Sequence, residues 1–152
     1  PVTDLTPLAG MPLEELDGTS LPAADFSPLA ECVKLTEIYL SNTALKDLEV
    51  FRGRKLTILR FDRTAVRDLS PLAGMPLHTI RFNDTPVTDL TPLLQCPALQ
   101  NIILPAGAGN AGVLRTLPNL RRISFRRDRN GDPAQSSAEF WTEWEAQHKA
   151  GK

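Results

Sequence analysis

The sequence has few of the side chains on which catalysis and cross-linking depend. Its 152 residues include two cysteines, two histidines and one tyrosine. The histidines, His78 and His148, have no acidic or thiol cluster at metal-ligand spacing, and the sequence suggests no serine or cysteine partner for either of them. We therefore predict that the chain is not an enzyme and that it uses no cofactor.

Excess charge and long apolar runs are also missing. The net charge is −1, which removes the general electrostatic attraction to nucleic acids and to anionic membranes. No apolar run approaches the roughly 20 residues that span a bilayer, and the chain does not start like a signal peptide. We predict neither a nucleic-acid partner nor membrane insertion by this chain, and its compartment stays open.

The dominant feature of the sequence is a repeat. Apolar triplets of the form L-x-x-L-x-L, or close variants, begin at intervals of 22, 21, 21, 22 and 21 residues. The six starts are Leu13, Leu35, Leu56, Leu77, Leu99 and Leu120. The last two apolar residues of each triplet are separated by one residue, which is the period of a strand with one buried face. A strand this short must pair with copies of itself, so the repeat predicts a sheet.

The second half of each repeat predicts a short helix. The pattern T-x-V-x-D-L-[ST]-P-L occurs at residues 64–72 and 85–93. Ser or Thr followed by Pro is typical of a helix start, in which the hydroxyl caps free backbone N–H groups. A spacer containing GMP or CP follows within a few residues, so we expect a single short turn, with 3₁₀ geometry as a candidate. Strand, turn and short helix together form one coil of a solenoid.

These motifs closely resemble the internalin-type class of bacterial leucine-rich repeats, over roughly residues 1–125. This sequence departs from that class in having Thr43, Thr64 and Thr85 where internalin repeats favour Asn. The resemblance implies an α/β solenoid: a right-handed coil with a parallel β-sheet on the concave face and short 3₁₀ or α turns on the convex face. The G-M-P spacers and the A-E-F-W at 138–141 are similar to repeat tails of large multidomain bacterial proteins, some of them linked to a serine/threonine kinase.

The two ends of the chain differ from the repeat. Residues 1–12 match only the second half of a unit, so we expect an N-terminally truncated solenoid over residues 1–127. Residues 128–152 predict a linker and a C-terminal capping helix: Ser136 and Glu139 fit a capping box, and Phe140 and Trp144 share a helix face. The last coil of a solenoid exposes its core, which an aromatic helix can cover. The alternative is an exposed aromatic peptide that docks a partner. We expect fraying from Ala146 onward.

The cysteines fit the repeat without a disulfide. Cys32 and Cys96 occupy the spacer position that Met11 and Met75 occupy in other coils. Three coils at ~4.8 Å each separate the two cysteines by ~14 Å, which is beyond disulfide reach. We predict two small buried apolar side chains.

The residues between the apolar positions of each strand are predicted to face the concave side of the sheet. This face is acidic near its N-terminal end and basic near its C-terminal end, with tyrosine, arginine and isoleucine between them. The candidate binding residues are Glu37, Tyr39, Ile58, Arg60, Arg81, Ile103, Arg122 and Arg126. Tyr and Arg are enriched at interface hot spots. We predict a non-enzymatic module that binds a protein or peptide. The alternative is a solvated sheet face on a structural spacer within a larger signalling or cell-surface protein.

Two segments imitate ligand sites. Residues 107–112 form a G-x-G-x-x-G between a predicted strand and a short helix, which makes nucleotide binding a remote alternative to an irregular coil of the repeat. A second segment has acidic and polar residues at calcium-loop spacing: Asp128, Asn130, Asp132 and Glu139. Pro133 stands where a calcium loop needs Gly, so a polar turn before a capped helix explains the segment better, and we predict no metal site.

Overall fold

The computed structural model describes residues 1–149 and contains, within that range, one sheet of six parallel strands arranged in chain order. The strands are β1 (Glu15–Asp17), β2 (Glu37–Tyr39), β3 (Ile58–Arg60), β4 (Thr79–Arg81), β5 (Asn101–Ile103) and β6 (Arg122–Ser124). Each strand lies at the position that the repeat predicts. The leucine-rich-repeat solenoid expected from the sequence is therefore confirmed.

The register of the sheet stacks equivalent residues of successive coils. Ile38 pairs with Leu59, Leu59 pairs with Ile80, and the row continues through Ile102 and Ile123. All five side chains are fully buried. Because neighbouring residues of a strand point to opposite faces, this register sends the residues on either side of the row to the concave face.

The opposite side of each coil is a short 3₁₀ helix, as expected. The six helices are η1 (Thr6–Leu8), η2 (Ser27–Glu31), η3 (Glu49–Phe51), η4 (Ser70–Leu72), η5 (Thr91–Gln95) and η6 (Ala111–Thr116). Five of these helices, η2 to η6, bury apolar side chains in the core, such as Leu72 and Leu93, which are fully buried. Across residues 1–149, no helix combines the length and the apolar character that crossing a membrane requires.

The cap of these helices differs from the prediction. The Ser and Thr hydroxyls do not accept backbone N–H groups; instead, an aspartate two residues earlier accepts them. Asp68 Oδ1 accepts the N–H of Ser70, and Asp68 Oδ2 accepts its hydroxyl hydrogen. In the next coil, Asp89 Oδ1 accepts both the N–H and the hydroxyl hydrogen of Thr91. A carboxylate is the stronger acceptor of the two side chains, so it takes the backbone N–H and orients the hydroxyl as a second donor.

These aspartates make stability depend on acid pH. Hydrogen bonds from the Ser70 hydroxyl and then the Ser70 N–H lower the pKa of Asp68, and the Thr91 hydroxyl, the Thr91 N–H and the Asn110 amide lower the pKa of Asp89. A folded pKa below the unfolded value of about 3.9 gives stability that is present above that value and is lost as pH falls through the folded pKa. We therefore expect the melting temperature, measured by circular dichroism, to fall less between pH 5 and pH 2.5 in the Asp68→Asn, Asp89→Asn double variant than in the wild type. Equal losses would contradict this account.

Thr64 and its equivalents complete the turn that follows each strand. Thr43, Thr64 and Thr85 donate their hydroxyls to the carbonyl oxygens of Leu40, Phe61 and Phe82, at 2.7, 2.8 and 2.7 Å respectively. Each carbonyl belongs to the residue three positions earlier. Threonine therefore satisfies a buried backbone acceptor at the position where the internalin class favours Asn.

We expect Thr64→Val to lower the free energy of unfolding by about 1–3 kcal/mol, because valine keeps the shape of the side chain and leaves the Phe61 carbonyl without a donor. Urea unfolding monitored by circular dichroism measures the change. Thr88→Val is the matched control, since Thr88 is exposed, and we expect it to alter stability by less than about 0.5 kcal/mol. Equal effects of the two substitutions would rule out the hydroxyl as the cause.

The two cysteines are buried and free, as predicted. Each thiol donates to a carbonyl of the preceding coil: Cys32 Sγ to Leu8 O at 3.1 Å and Cys96 Sγ to Leu72 O at 3.2 Å. Burial raises the pKa of the Cys96 thiol. These thiols are structural groups that bridge neighbouring coils.

The C-terminal segment folds back onto the solenoid. Residues 126–136, called the strap below, contain an antiparallel bridge between Arg127 and Pro133 and are tied to β6 by a bridge between Arg122 and Ser136. Helix α1 (Ser137–Lys149) follows. Its capping box forms as predicted, because the carboxylate of Glu139 accepts the N–H and the hydroxyl of Ser136.

Aromatic contacts join α1 to the last coil. Phe140 is 3% exposed and its ring lies 5.5 Å from that of Phe125 and 5.9 Å from that of Trp144. The helix continues to Lys149, past Ala146 where fraying was expected; the last three residues of that expectation, 150–152, lie outside the described part of the chain. The domain boundary between residues 127 and 128 stays a prediction.

Candidate binding cleft on the concave face

The first four candidate residues lie together on the concave face. Glu37 is opposite Ile58, and Tyr39 is opposite Arg60, across the β2–β3 pairing. All four side chains are partly exposed. The structure therefore brings a carboxylate, a phenol, an aliphatic chain and a guanidinium into one patch, as the strand spacing predicts.

The expectation that the same face stays open toward the C-terminal end is wrong. Arg81 is only 8% exposed and Ile103 is fully buried. Both lie in the same row as Ser124, which is 1% exposed. The strap crosses the sheet here, and its Gly131 carbonyl accepts a hydrogen bond from Arg81 Nη1. Ile103 therefore contributes to packing, and it is not available as an exposed aliphatic contact.

The two remaining candidates lie on either side of the strap contact. Arg122 is partly buried and its Nη2 lies 3.4 Å from Asp128 Oδ2. Arg126 is exposed. Neither faces the patch around Tyr39. The continuous gradient from acidic to basic charge is thus interrupted by the protein's own C-terminal segment.

A cleft of about 340 Å³ remains between the strap and strands β1 to β4. Its charged lining residues are Glu15, Asp17, Arg60, Asp62, Arg81 and Arg127. Thr19, Tyr39 and Ser41 supply the neutral polar groups. Acidic residues from β1 lie at one end of the cleft, and arginines from β3, β4 and the strap lie at the other.

Tyr39 and Arg60 are held in place before any partner arrives. The Arg60 guanidinium carbon lies 4.8 Å from the centre of the Tyr39 ring, within cation–π range. The Tyr39 hydroxyl donates to Glu37 Oε2 at 2.9 Å. Burial raises the pKa of Tyr39, and the neighbouring Glu37 carboxylate raises it further. The phenol therefore stays protonated and keeps donating to Glu37.

Asp62 and Arg81 form a buried charge pair beneath the cleft. Their side chains are 2% and 9% exposed, and Arg81 Nη2 lies 3.7 Å from Asp62 Oδ2. Ser41 donates to the same oxygen at 2.9 Å. Burial lowers the pKa of Arg81, and the nearby charge of Arg60 lowers it further. This pair was missed by the sequence analysis, although Asp62 lies in a predicted concave column.

Four buried polar atoms in and beside this pair have no hydrogen-bond partner. They are Arg60 Nε, Asp62 Oδ1, Arg81 Nε and Asn83 Oδ1. Buried polar atoms are rarely left unpaired in native proteins, and each of them needs an explanation. Three of the four atoms belong to residues that line the cleft, Arg60, Asp62 and Arg81, and Asn83 lies outside its lining.

Two side chains of the weak calcium candidate are already engaged, that of Asp128 with the backbone and that of Glu139 with the helix cap. Asp128 Oδ1 accepts the N–H groups of Asn130 and Asp132, at 2.8 and 3.0 Å. Glu139 serves the capping box of α1. Within residues 1–149, no group of three His, Cys, Asp or Glu side chains is arranged to hold a metal ion. The segment is a polar turn that begins the strap.

The glycine loop at residues 107–112 remains part of a regular coil. Asn110 directly precedes the helix of this coil and ties it to the preceding one: its Oδ1 accepts the N–H of Leu90, and its Nδ2 donates to Asp89 Oδ1 at 2.9 Å. The following helix, Ala111–Thr116, is a six-residue 3₁₀ helix. A dinucleotide site uses the N-terminus of a full α-helix, which this coil does not provide.

Comparison with protein-family models and with curated proteins found no match. The solved structures that match include two internalins of Listeria monocytogenes. Internalin C2 superposes with a TM-score of 0.74 and 27% identity, covering 82% of this chain and 57% of its own length. An internalin named inlF superposes with a TM-score of 0.67 and 24% identity, covering 85% of this chain and 41% of its own length.

The chain thus spans about half the length of the internalins to which it is similar. The two superpositions cover more than four fifths of this chain. Six strands in register, a 3₁₀ helix in every coil and these structural neighbours lead to one conclusion: the chain is a leucine-rich-repeat solenoid whose fold is similar to that of the internalins.

Proposed function

We propose that this chain is a non-enzymatic interaction module that binds a protein or peptide partner in the cleft on its concave face. Solenoids present extended concave surfaces that suit macromolecular partners. The observation that carries the proposal is the pre-positioned pair of Tyr39 and Arg60 at the centre of the cleft. Aromatic and arginine side chains held rigid before binding lose little conformational entropy on association.

The neighbours of this pair suit a polypeptide with charges of both signs. Glu37 and the β1 carboxylates can pair with a basic group, Arg60 can pair with an acidic one, and the partly exposed Ile58 adds apolar contact area. Arg122 lies on β6 and Arg126 on the strap, and neither lines the cleft, so we assign them at most to the rim of the interface, where contacts contribute little affinity.

A peptide library selected against the chain tests the proposal directly. We expect Tyr39→Ala and Arg60→Ala each to lower the affinity for a selected peptide by about tenfold or more, which corresponds to about 1.4 kcal/mol. Calorimetry measures the change. Arg67→Ala is the control, because Arg67 is exposed and lies in a convex segment of the same coil; it should leave the dissociation constant unchanged. If the library yields no peptide that depends on Tyr39 or Arg60, the alternative of a structural spacer is favoured.

A further inference from the structure

We infer that the C-terminal end of the cleft is a subsite for a carboxylate of an acidic peptide segment, held between Arg60, Arg81 and Arg127. This inference rests on the proposed function, since it specifies the chemistry of the partner that the same cleft receives. Three features support it: the local charge, the unpaired N–H groups and the unpaired acceptors beside them.

The local charge favours an incoming anion. Three guanidinium groups line this end of the cleft, and one buried carboxylate, that of Asp62, lies among them. Asp62 is 3.7 Å from Arg81, and Arg60 has the Tyr39 ring as its neighbour. The positive charges of Arg60 and Arg127 both act unfavourably on Arg81. A carboxylate placed among the three would relieve this repulsion.

The unpaired N–H groups provide specific donors for that carboxylate. Arg60 Nε and Arg81 Nε are both buried and have no acceptor. Their strands are hydrogen-bonded neighbours in which Arg60 is directly opposite Arg81. Charge-assisted hydrogen bonds from guanidinium to carboxylate are about twice as strong as neutral ones, and the two oxygens of one carboxylate can accept from both side chains.

The unpaired acceptors distinguish a peptide from a nucleic acid. Asp62 Oδ1, in the cleft lining, is buried without a donor, and so is Asn83 Oδ1 outside that lining. A peptide backbone offers N–H donors next to its acidic side chains, whereas a phosphodiester backbone offers only acceptors. Glu15 and Asp17 at the other end of the cleft also repel a long polyanion. These groups together favour a short acidic peptide segment.

Titration of the full chain with short peptides tests the inference. The probe is acetyl-tetraglutamate amide, followed through the ¹⁵N–¹H signals of the arginine Nε groups by NMR. Its matched control is acetyl-tetraglutamine amide at the same ionic strength. Acetyl-tetra-alanine with a free carboxylate, compared with its amide, separates a terminal carboxylate from a side-chain one as the source of the anion.

We expect tetraglutamate to shift the Nε signals of Arg60 and Arg81 and to bind at least about tenfold more tightly than tetraglutamine. Arg60→Gln and Arg127→Gln should each lower the ratio of the affinity for tetraglutamate to that for tetraglutamine by about tenfold, whereas Arg67→Gln should leave this ratio unchanged. Arg60 lies next to the buried pair of Asp62 and Arg81, so replacing it can disturb folding. Arg127 is exposed, and its variant therefore tests the subsite without that complication.

Three results would overturn the inference. The first is equal binding of tetraglutamate and tetraglutamine, and the second is tighter binding of oligothymidylate than of tetraglutamate. The third is a shift of the arginine signals by sodium acetate equal to the shift by tetraglutamate. If library peptides still bind in a Tyr39-dependent way after any of these results, the proposed function stands and only the carboxylate subsite is lost. If no peptide binds at this cleft, both proposals fail.

Discussion

Phe82→Ala is expected to lower the free energy of unfolding by about 3–5 kcal/mol, the cost of truncating a buried phenylalanine. Phe82 is fully buried, and its ring stacks on that of Phe61 with centroids 5.5 Å apart and planes at 19°. Since each coil is stabilised mainly by its neighbours, a cavity between two coils weakens both of them. Urea unfolding monitored by far-ultraviolet circular dichroism measures the loss.

Two control variants test whether the loss of stability comes from the lost packing of a buried ring and not from substitution as such. Phe82→Leu should cost less than about 1.5 kcal/mol, because Leu40 and Leu104 occupy the same position in other coils and are fully buried there. Val33→Ala should change stability by less than about 0.5 kcal/mol, because Val33 is 70% exposed. A loss below about 1 kcal/mol for Phe82→Ala would contradict a continuous core that depends on packing between coils.

Phe140→Ala is expected to lower the free energy of unfolding by a similar amount, about 3–5 kcal/mol, and to open the C-terminal end first. Its ring contacts Phe125, Trp141 and Trp144, with centroids 5.5, 5.0 and 5.9 Å away. Removing it takes away the central contact between α1 and the last coil. Hydrogen exchange should therefore accelerate in β6 before it changes in β2.

This variant also tests the division between solenoid and cap. Thr142→Ala is the matched control on the same helix, because Thr142 is exposed, and it should leave both stability and exchange nearly unchanged. If Phe140→Ala is stable but loses affinity for a selected peptide, α1 is a docking element. If it is destabilised from the C-terminal end, the cap interpretation is supported.

The strand positions and the buried rows could be predicted because they repeat. A spacing of 21 or 22 residues places equivalent side chains opposite one another, and the same rule predicted both the burial of Cys96 and the exposure of Tyr39. The helix cap was predicted less well. A pattern containing both Asp and Ser offers two capping groups, and only the relative strength of the two acceptors decides between them.

The strap could not be predicted in the same way. The contact between Arg81 and Gly131 joins residues 50 positions apart, outside the repeat spacing. Residues 128–139 carried a local pattern that suited a turn and a helix cap, and nothing in that pattern indicated where the turn would lie. The interruption of the exposed concave face at Arg81 follows from the position of the strap.

The repeat period therefore specifies the architecture of this protein, because in a solenoid each coil contacts only its neighbours and those contacts recur at a constant offset along the chain. The shape of the binding cleft has a different origin. It depends on where the strap crosses the sheet, which leaves Tyr39 and Arg60 partly exposed and closes the row formed by Arg81, Ile103 and Ser124. That position is set by contacts between distant residues, and only the folded chain brings them together.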